Sequence, residues 1–215
     1  MFYSYMNEFY VQLTIMKKSI VSSVILFFIF AAGYSQHLSV NAFGGYTFRD
    51  KINYGNAYTY INGGGMWGAS VEGVNAQGTG LELLYQYQST ETPTTVYVPS
   101  QTFPSSTVVS YLLLNFEQYM LNNPKIQPYA GIGLGAAFYK SDFQGVTSAT
   151  KFAWDLKAGV KFKATDAFGI KIGAQLLGSA QATGTAFYYG YAYTTYATIL
   201  QFGFTGGLVF DFGGH

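Results

Sequence analysis

The chain has 215 residues, of which 49% are hydrophobic, 19% aromatic and only 10% charged, and its formal net charge is +1. Soluble domains carry about 25% charged residues, so little of this surface is suited to water. The near-neutral balance excludes a basic field for nucleic acid, and the absence of cysteine excludes disulfides, thiolate chemistry and a lipid-modified cysteine.

The first predicted element is an export signal. Ile20–Ala32 is the one continuous apolar run, with two lysines before it and small residues after it. This arrangement is typical of a secretory signal peptide. We expect residues 1–35 to be the signal, translated from Met16 and cleaved after Ser35, and residues 36–215 to be the mature domain. The alternative, an uncleaved anchor, is disfavoured because a spanning helix needs about 20 apolar residues.

The mature segment contains short stretches in which apolar and polar residues alternate. Alternation with a period of two indicates strands, because successive side chains of a strand point to opposite faces. The predicted strands are His37–Phe48, Met66–Val74, Gly80–Gln88, Thr107–Tyr119, Ile126–Lys140, Phe152–Phe162, Phe168–Leu177 and Thr198–Phe212.

The sixth of these strands shows the pattern most clearly. Between Phe152 and Phe162, every second residue is apolar and both ends are aromatic, whereas Asp155, Lys157 and Lys161 occupy the other face. A strand that crosses a bilayer needs about 9–11 residues, with apolar side chains outward between aromatic girdles and polar side chains inward. The segment therefore predicts a membrane-spanning strand.

The connections between the predicted strands alternate between long and short. Outer-membrane barrels combine short periplasmic turns with longer outer loops. We therefore predict an all-β fold, an eight-stranded antiparallel up-and-down transmembrane β-barrel with both termini on the periplasmic side. The long connections are 49–64, 89–106, 141–150 and 178–197, and the short ones are 75–78, 121–125 and 164–167.

Two further segments carry a resemblance to a known family. Pro128–Tyr139 reads PYAGIGLGAAFY and Gly206–Phe212 reads GGLVFDF. With the signal peptide, they resemble the outer-membrane β-barrel domain family, which includes the small OmpA-, OmpX- and OmpW-like barrels and porin family of Gram-negative bacteria. The resemblance implies location in the cell outer membrane and insertion by the barrel-assembly machinery. Family members commonly end on an aromatic residue, whereas three residues follow Phe212 here.

Charged residues on the inward faces form the first candidate site. An eight-stranded barrel is just wide enough for its side chains to fill the interior, and glycines such as Gly131 and Gly133 would leave room for long lysines. We expect these charges to pair as a closed plug, with a gated pore or a proton path as the alternative. The predicted lumen charge network is Glu72, Glu82, Glu117, Asp155, Lys157, Lys161 and Lys171.

Signals of catalysis are weak. Glu72 and Glu82 are paired carboxylates, but no cleft is recognisable beside them. His37 and His215 lie at the ends of the mature chain, away from metal-ligand partners and from the Ser–His arrangement of barrel enzymes. Gly131-x-Gly133-x-Gly135 lacks the spacing of a phosphate-binding loop. We therefore predict no catalytic residues, no metal and no cofactor.

Tyrosines in the long connections form the second candidate site. Tyrosine offers a large amphipathic contact area, and exposed loops often carry recognition. An interfacial aromatic belt, or an extension of the strands into these connections, is an equal alternative. The recognition candidates are Tyr54, Tyr58, Tyr60, Tyr188, Tyr189, Tyr191 and Tyr193, with Tyr196 beside them.

These observations predict a non-enzymatic, monomeric outer-membrane protein with a closed polar lumen and a structural or surface-recognition role. Its expected partners are outer-membrane lipid, the assembly machinery and an extracellular ligand bound through the loops, and not nucleic acid. The first alternative is a narrow porin or OmpW-like channel for small solutes. The second is a secreted lipocalin-like binder whose apolar faces would line a ligand site.

Overall fold

A computed structural model describes the backbone of residues 37–54, 57–96, 101–103, 106–141, 148–188 and 191–212, and side chains within 37–51, 60–93, 106–140, 148–179 and 199–212. The predicted signal peptide lies outside these residues. All regular structure in the described ranges is β. The strands are β1 His37–Thr47, β2 Asp50–Tyr54, β3 Ala57–Ile61, β4 Gly64–Val74, β5 Thr79–Glu91, β6 Thr94–Val96, β7 Gln101–Phe103, β8 Ser106–Tyr119, β9 Ile126–Ser141, β10 Ala149–Lys163, β11 Phe168–Tyr188 and β12 Tyr191–Phe212.

Eight of the strands close into an antiparallel up-and-down barrel, which confirms the predicted fold class. Their order round the barrel is β1-β12-β11-β10-β9-β8-β5-β4. The stagger of the strands can be measured by stepping from each residue to its direct partner on the next strand. Starting at Asp211 of β12, the steps lead through Ser39, Glu72 and Glu82 and on round the barrel. They return to β12 at Gln201, ten residues from Asp211. This stagger tilts the strands, and closure leaves no unpaired edge in the barrel wall.

The first two long connections are not loops throughout, contrary to the sequence prediction. The connection 49–64 contains the β2–β3 hairpin and the connection 89–106 contains β6 and β7. The two pair through Ala57 and Val96, so that β2-β3-β6-β7 forms a second, four-stranded sheet. Their Tyr, Thr and Val residues favour strands, but the segments are too short to show a clear alternation.

The last long connection was also predicted wrongly as a loop. β11 continues to Tyr188 and β12 begins at Tyr191, and the two pair almost to their ends with a bulge between Ala182 and Gly184. The alanine, glycine and threonine residues here give no apolar alternation. Backbone pairing with the neighbouring strand extends this hairpin beyond the pattern visible in its side chains.

The outer face of the barrel is apolar. Phe204 and Ile132 are about half exposed, and Leu112, Leu114 and Phe116 of β8 point outward as predicted. Aromatic side chains contact one another at both ends, as Phe48 with Phe202 at 5.9 Å and Phe168 with Phe210 at 5.4 Å. So large an apolar surface is rare on soluble monomers and typical of contact with lipid. Among the described residues, no helix is long and apolar enough to span a membrane.

The interior is filled by side chains and divides into two halves. The half near the short turns is charged. The other half, called the apolar half below, contains a cluster of apolar side chains that includes Tyr111, Leu113 and Leu177, together with buried glutamines such as Gln86 and Gln88. The lumen is therefore polar only in part, whereas a polar lumen was predicted. Luminal glycines leave space that neighbouring rings fill: Phe43 covers Gly68.

A buried charge cluster in the lumen

The candidate site is a cluster of five charged side chains from five strands. Glu72 of β4 and Glu82 of β5 are directly paired in the register. Glu117 of β8 joins them, and Lys157 and Lys171 approach from β10 and β11. The period-two alternation of each strand brings these residues to the interior, where their side chains are at most 7% exposed.

Lys171 binds all three carboxylates. Its Nζ lies 2.8 Å from Oε2 of Glu117, 3.4 Å from Oε2 of Glu72 and 3.7 Å from Oε1 of Glu82. The same ammonium lies 4.4 Å from the centroid of the Tyr129 ring. Cation–π attraction of this kind strengthens when water is excluded. Lys171 is therefore the central cation of the cluster.

Lys157 forms the second bridge. Its Nζ donates a hydrogen bond to Oε2 of Glu82 and lies 2.5 Å from Oε1 of Glu117. Gly131 stands between Glu117 and Lys157 in the register, and its missing side chain makes room for the Glu117 chain. The glycine face of β9 therefore makes room for Glu117 at Gly131 and for Asn115 and Asp155 at Gly133, and not for the long lysines that were expected there.

Neutral donors complete the cluster. Ser70 Oγ donates to Oε1 of Glu82 at 2.6 Å, and Asn115 Nδ2 donates to Oε2 of the same residue at 2.8 Å. The Tyr119 hydroxyl lies 3.0 Å from Oε2 of Glu72 and 2.9 Å from Oε2 of Glu117. Pairing and hydrogen bonding of this kind offset the cost of burying charged groups.

Lys161 lies apart from the cluster. Its Nζ donates to Oδ1 of Asp211 at 2.7 Å, and Lys163 lies 3.9 Å from Oδ2 of Asp211 at the rim. The predicted network omits Asp211, although the alternation along β12 places this side chain on the lumen face. Its partner, Lys161, could not be predicted in the same way, because that contact depends on how β10 and β12 approach one another.

Asp155, the last predicted member, is placed differently. It is fully buried and belongs to no ion pair among the described residues. Neither of its carboxylate oxygens has a hydrogen-bond partner.

A small cavity lies beside the cluster. It encloses about 20 Å³ and is lined by Glu82, Lys157, Lys171 and Gln175 among others. A space of this size holds about one water molecule. The carboxylates of Glu82 and Glu117 are each in contact with both lysines. Among the described residues, no group of three His, Cys, Asp or Glu side chains is arranged to hold a metal ion.

The predicted recognition tyrosines lie in the extensions beyond the barrel. Tyr60 of β3 is half-buried, with the Arg49 guanidinium carbon 3.3 Å from its ring centroid. The backbones of Tyr54 and Tyr58 lie in the second sheet, and those of Tyr188, Tyr191, Tyr193 and Tyr196 in the β11–β12 hairpin, where Tyr188 pairs with Tyr191. Tyr189 lies outside the described residues.

Comparison with known proteins places the fold among the small outer-membrane barrels. Neisserial surface protein A is similar with a TM-score of 0.56 at 14% identity, covering 81% of this chain and 97% of its own. The outer membrane protein OprG from Pseudomonas aeruginosa has a TM-score of 0.57 at 9% identity, with coverage of 84% and 98%. The outer membrane protein AlkL has 0.52 at 14% identity, with 85% and 93%. No protein-family model and no curated protein matches the chain. The likeness is therefore one of fold.

Proposed function

We propose that this chain is a non-enzymatic, monomeric integral protein of the outer membrane whose lumen is closed to ions, and that it acts as a structural element or through surface recognition. The observation that carries the proposal is the bridge of Lys157 and Lys171 to Glu72, Glu82 and Glu117. These side chains come from opposite walls of the barrel and meet in its interior. An ion would have to separate them to pass.

The apolar half of the lumen forms a second barrier. Tyr111, Leu113 and Leu177 belong to one cluster of buried side chains, together with Leu84 and the Phe43 ring. Ions are strongly disfavoured in a dry apolar environment. Two barriers of different chemistry in series support a closed lumen better than either barrier alone.

The outer surface supports the membrane assignment. Its apolar side chains would face lipid, whereas a lipocalin-like binder would need them to face an internal ligand; here the apolar interior is filled by side chains. The expected partners are then outer-membrane lipid and the barrel-assembly machinery. Electrophoresis of unheated and boiled protein from outer-membrane fractions tests this: a heat-dependent shift supports a closed membrane barrel. An unshifted band in the soluble fraction contradicts it.

We assign the recognition role to the end of the barrel that carries the long connections between strands. The second sheet and the extended β11–β12 hairpin present tyrosine-bearing strands beyond the barrel. Such extensions are where a rigid scaffold carries binding residues. The proposed ligand is an extracellular molecule bound through these segments. Its binding to cells displaying the protein should be lost when the hairpin 180–196 is shortened to a tight turn, while heat-modifiable migration is retained.

Single-channel recording in planar bilayers tests the closed lumen. The wild-type barrel should give no steps above background, whereas Lys157→Met combined with Leu113→Ala, which weakens both barriers, should give openings. Lys163→Met, at the rim, is the control and should stay silent. Regular steps from the wild type would contradict the proposal and favour the narrow channel.

One observation favours that second candidate. Gln88 and Gln201 are buried in the apolar half, and neither side-chain amide has a hydrogen-bond partner among the side chains that the structure describes. With the small cavity near Lys157, they would mark a polar route for water or a small neutral solute. Swelling of proteoliposomes in a small polyol, without ionic conductance, would distinguish such a conduit from both a closed barrel and an ion channel.

A further inference from the structure

Two buried oxygen-bearing side chains face each other without a donor between them. Asp155 of β10 and Asn115 of β8 are both fully buried. Both carboxylate oxygens of Asp155 and the amide oxygen Oδ1 of Asn115 lack hydrogen-bond partners within the part of the chain that the structure describes. Buried acceptors are rarely left unsatisfied, and each such case requires a physical explanation.

The two side chains meet above a glycine of the strand between them. Gly133 of β9 is paired with Asn115 on one side and with Asp155 on the other. A Cβ built on Gly133 would collide with Oδ1 of Asn115 and with Oδ1 of Asp155. Both oxygens therefore converge on the space that the glycine leaves empty.

Rotation of the Asn115 amide does not resolve the conflict. Its Nδ2 donates to Oε2 of Glu82 at 2.8 Å, which commits the nitrogen to that side. Turning the amide would offer a donor to Asp155 but would set Oδ1 against the Glu82 carboxylate. The Glu82 carboxylate would then lose the donor that the Asp155 carboxylate gained, so one of the two would still be left without it.

The charge balance of the lumen gives an independent indication. The charged half of the lumen contains four carboxyl groups and two amino groups besides the Lys161–Asp211 pair: Glu72, Glu82, Glu117, Asp155, Lys157 and Lys171. With all six groups ionised, this half of the lumen carries an excess of two negative charges. Lys161 and Asp211 form a separate pair and do not alter the balance. The charged groups close enough to interact electrostatically with Asp155 are Lys157 of β10, Glu82 of β5, Glu117 of β8 and Lys171 of β11.

We propose that a small positively charged species, a proton or a hard metal cation, binds between Asp155 and Asn115 above Gly133. A proton on one carboxylate oxygen of Asp155 would let that oxygen donate to Oδ1 of Asn115, which would satisfy two of the three unpartnered oxygens. A hard cation such as Na⁺ or Ca²⁺ would use the same oxygens, since such ions prefer carboxylate and amide ligands. In either form the site joins β8 and β10 across β9.

The matched variants are Asp155→Asn and Glu82→Gln, measured as the full-length barrel in detergent micelles by denaturant unfolding. The amide introduced by Asp155→Asn would supply a donor to Asn115 without any bound positive charge, so the unfolding midpoint of this variant should equal or exceed that of the wild type. Glu82→Gln should lower the midpoint clearly, because the Glu82 carboxyl group is in contact with two lysines.

The wild type alone distinguishes the two sources of charge. At fixed ionic strength, a midpoint that rises with added Na⁺ or Ca²⁺ indicates a metal ion. A midpoint that falls as the pH rises, at constant cation concentration, indicates a proton that the folded barrel holds and the unfolded chain releases. In both cases, only the part of the midpoint change that is lost in the Asp155→Asn variant is assigned to this site.

Two results would overturn the inference. One is a loss of stability in Asp155→Asn as large as in Glu82→Gln, which would make Asp155 an ionised partner of the cluster. The other is an identical response of wild type and Asp155→Asn to pH and to both cations, which would leave only a neutral water at the site. Since the readout is stability, neither result depends on whether the lumen conducts.

Discussion

Glu72 and Glu82 lie directly opposite each other on β4 and β5, and both side chains point into the closed lumen. Like charges in this position destabilise a sheet. The pair is tolerated because Lys171 lies 3.4 Å from one carboxylate and 3.7 Å from the other. β11, which carries this lysine, is four strands away from β5 in either direction round the barrel. Barrel closure is thus what supplies the compensating charge.

Replacement of Lys171 by methionine should destabilise the barrel strongly. Removing one partner of a buried charge network costs about 3–5 kcal/mol, because the remaining charges are left uncompensated. Denaturant unfolding in micelles would measure the loss. Lys163→Met is the matched control and should cost less than about 1 kcal/mol, since this lysine is partly exposed at the rim and 3.9 Å from Asp211. Equal losses in both variants would show that the cluster contributes no more than a surface pair.

Charge reversal should reveal which lumen charges are partners. Glu82→Lys and Lys157→Glu should each destabilise the barrel, and the double variant should recover part of the loss because opposite charges face each other again. A double-mutant cycle on unfolding free energies would measure this coupling, which for contacting groups is about 0.5–3 kcal/mol. The control pairs Glu82→Lys with Lys161→Glu. Recovery in that pair as well would contradict the contacts, because Lys161 binds Asp211 instead.

Gly68→Ala should weaken packing inside the barrel. An added Cβ would collide with the Phe43 ring and with the backbone carbonyl of Tyr85. Overpacking of this kind costs about 1–3 kcal/mol. Gly206→Ala is the control on the outer face, where the Cβ meets nothing within 4 Å, and it should cause no loss. The midpoint of heat-dependent electrophoretic migration would compare the two, and a greater loss in the Gly206 variant would contradict the packing described here.

A lysine on the outer face should report the depth of the membrane. Ile132 and Ile126 both point outward on β9, Ile132 near mid-strand and Ile126 at the short-turn end. Ile132→Lys should cost about 2–4 kcal/mol in lipid and Ile126→Lys at most about 1 kcal/mol, since the penalty falls from the bilayer centre to its surface. Unfolding from phospholipid vesicles measures both. If neither substitution reduces stability, β9 faces water.

Much of the barrel could be predicted from the sequence. The alternation in segments such as Phe152–Phe162 sets which residues face outward, because a strand places neighbouring side chains on opposite faces whatever its surroundings. The same rule placed Asn115 and Glu117 inward on β8, where apolar residues obscure the pattern. It failed at 178–197, since alanine, glycine and threonine carry no signal of facing and the strand there is defined by its backbone pairing.

The sequence by itself determined the number of barrel strands, the outward apolar face and, apart from Asp211, the charged side chains that enter the lumen. Only the tertiary structure decided which charges meet: Lys171 with three glutamates, Lys161 with Asp211, and Asp155 with none among the described residues. The reason is physical. Facing depends on the local geometry of one strand, whereas pairing across a closed barrel depends on the stagger accumulated round all eight strands.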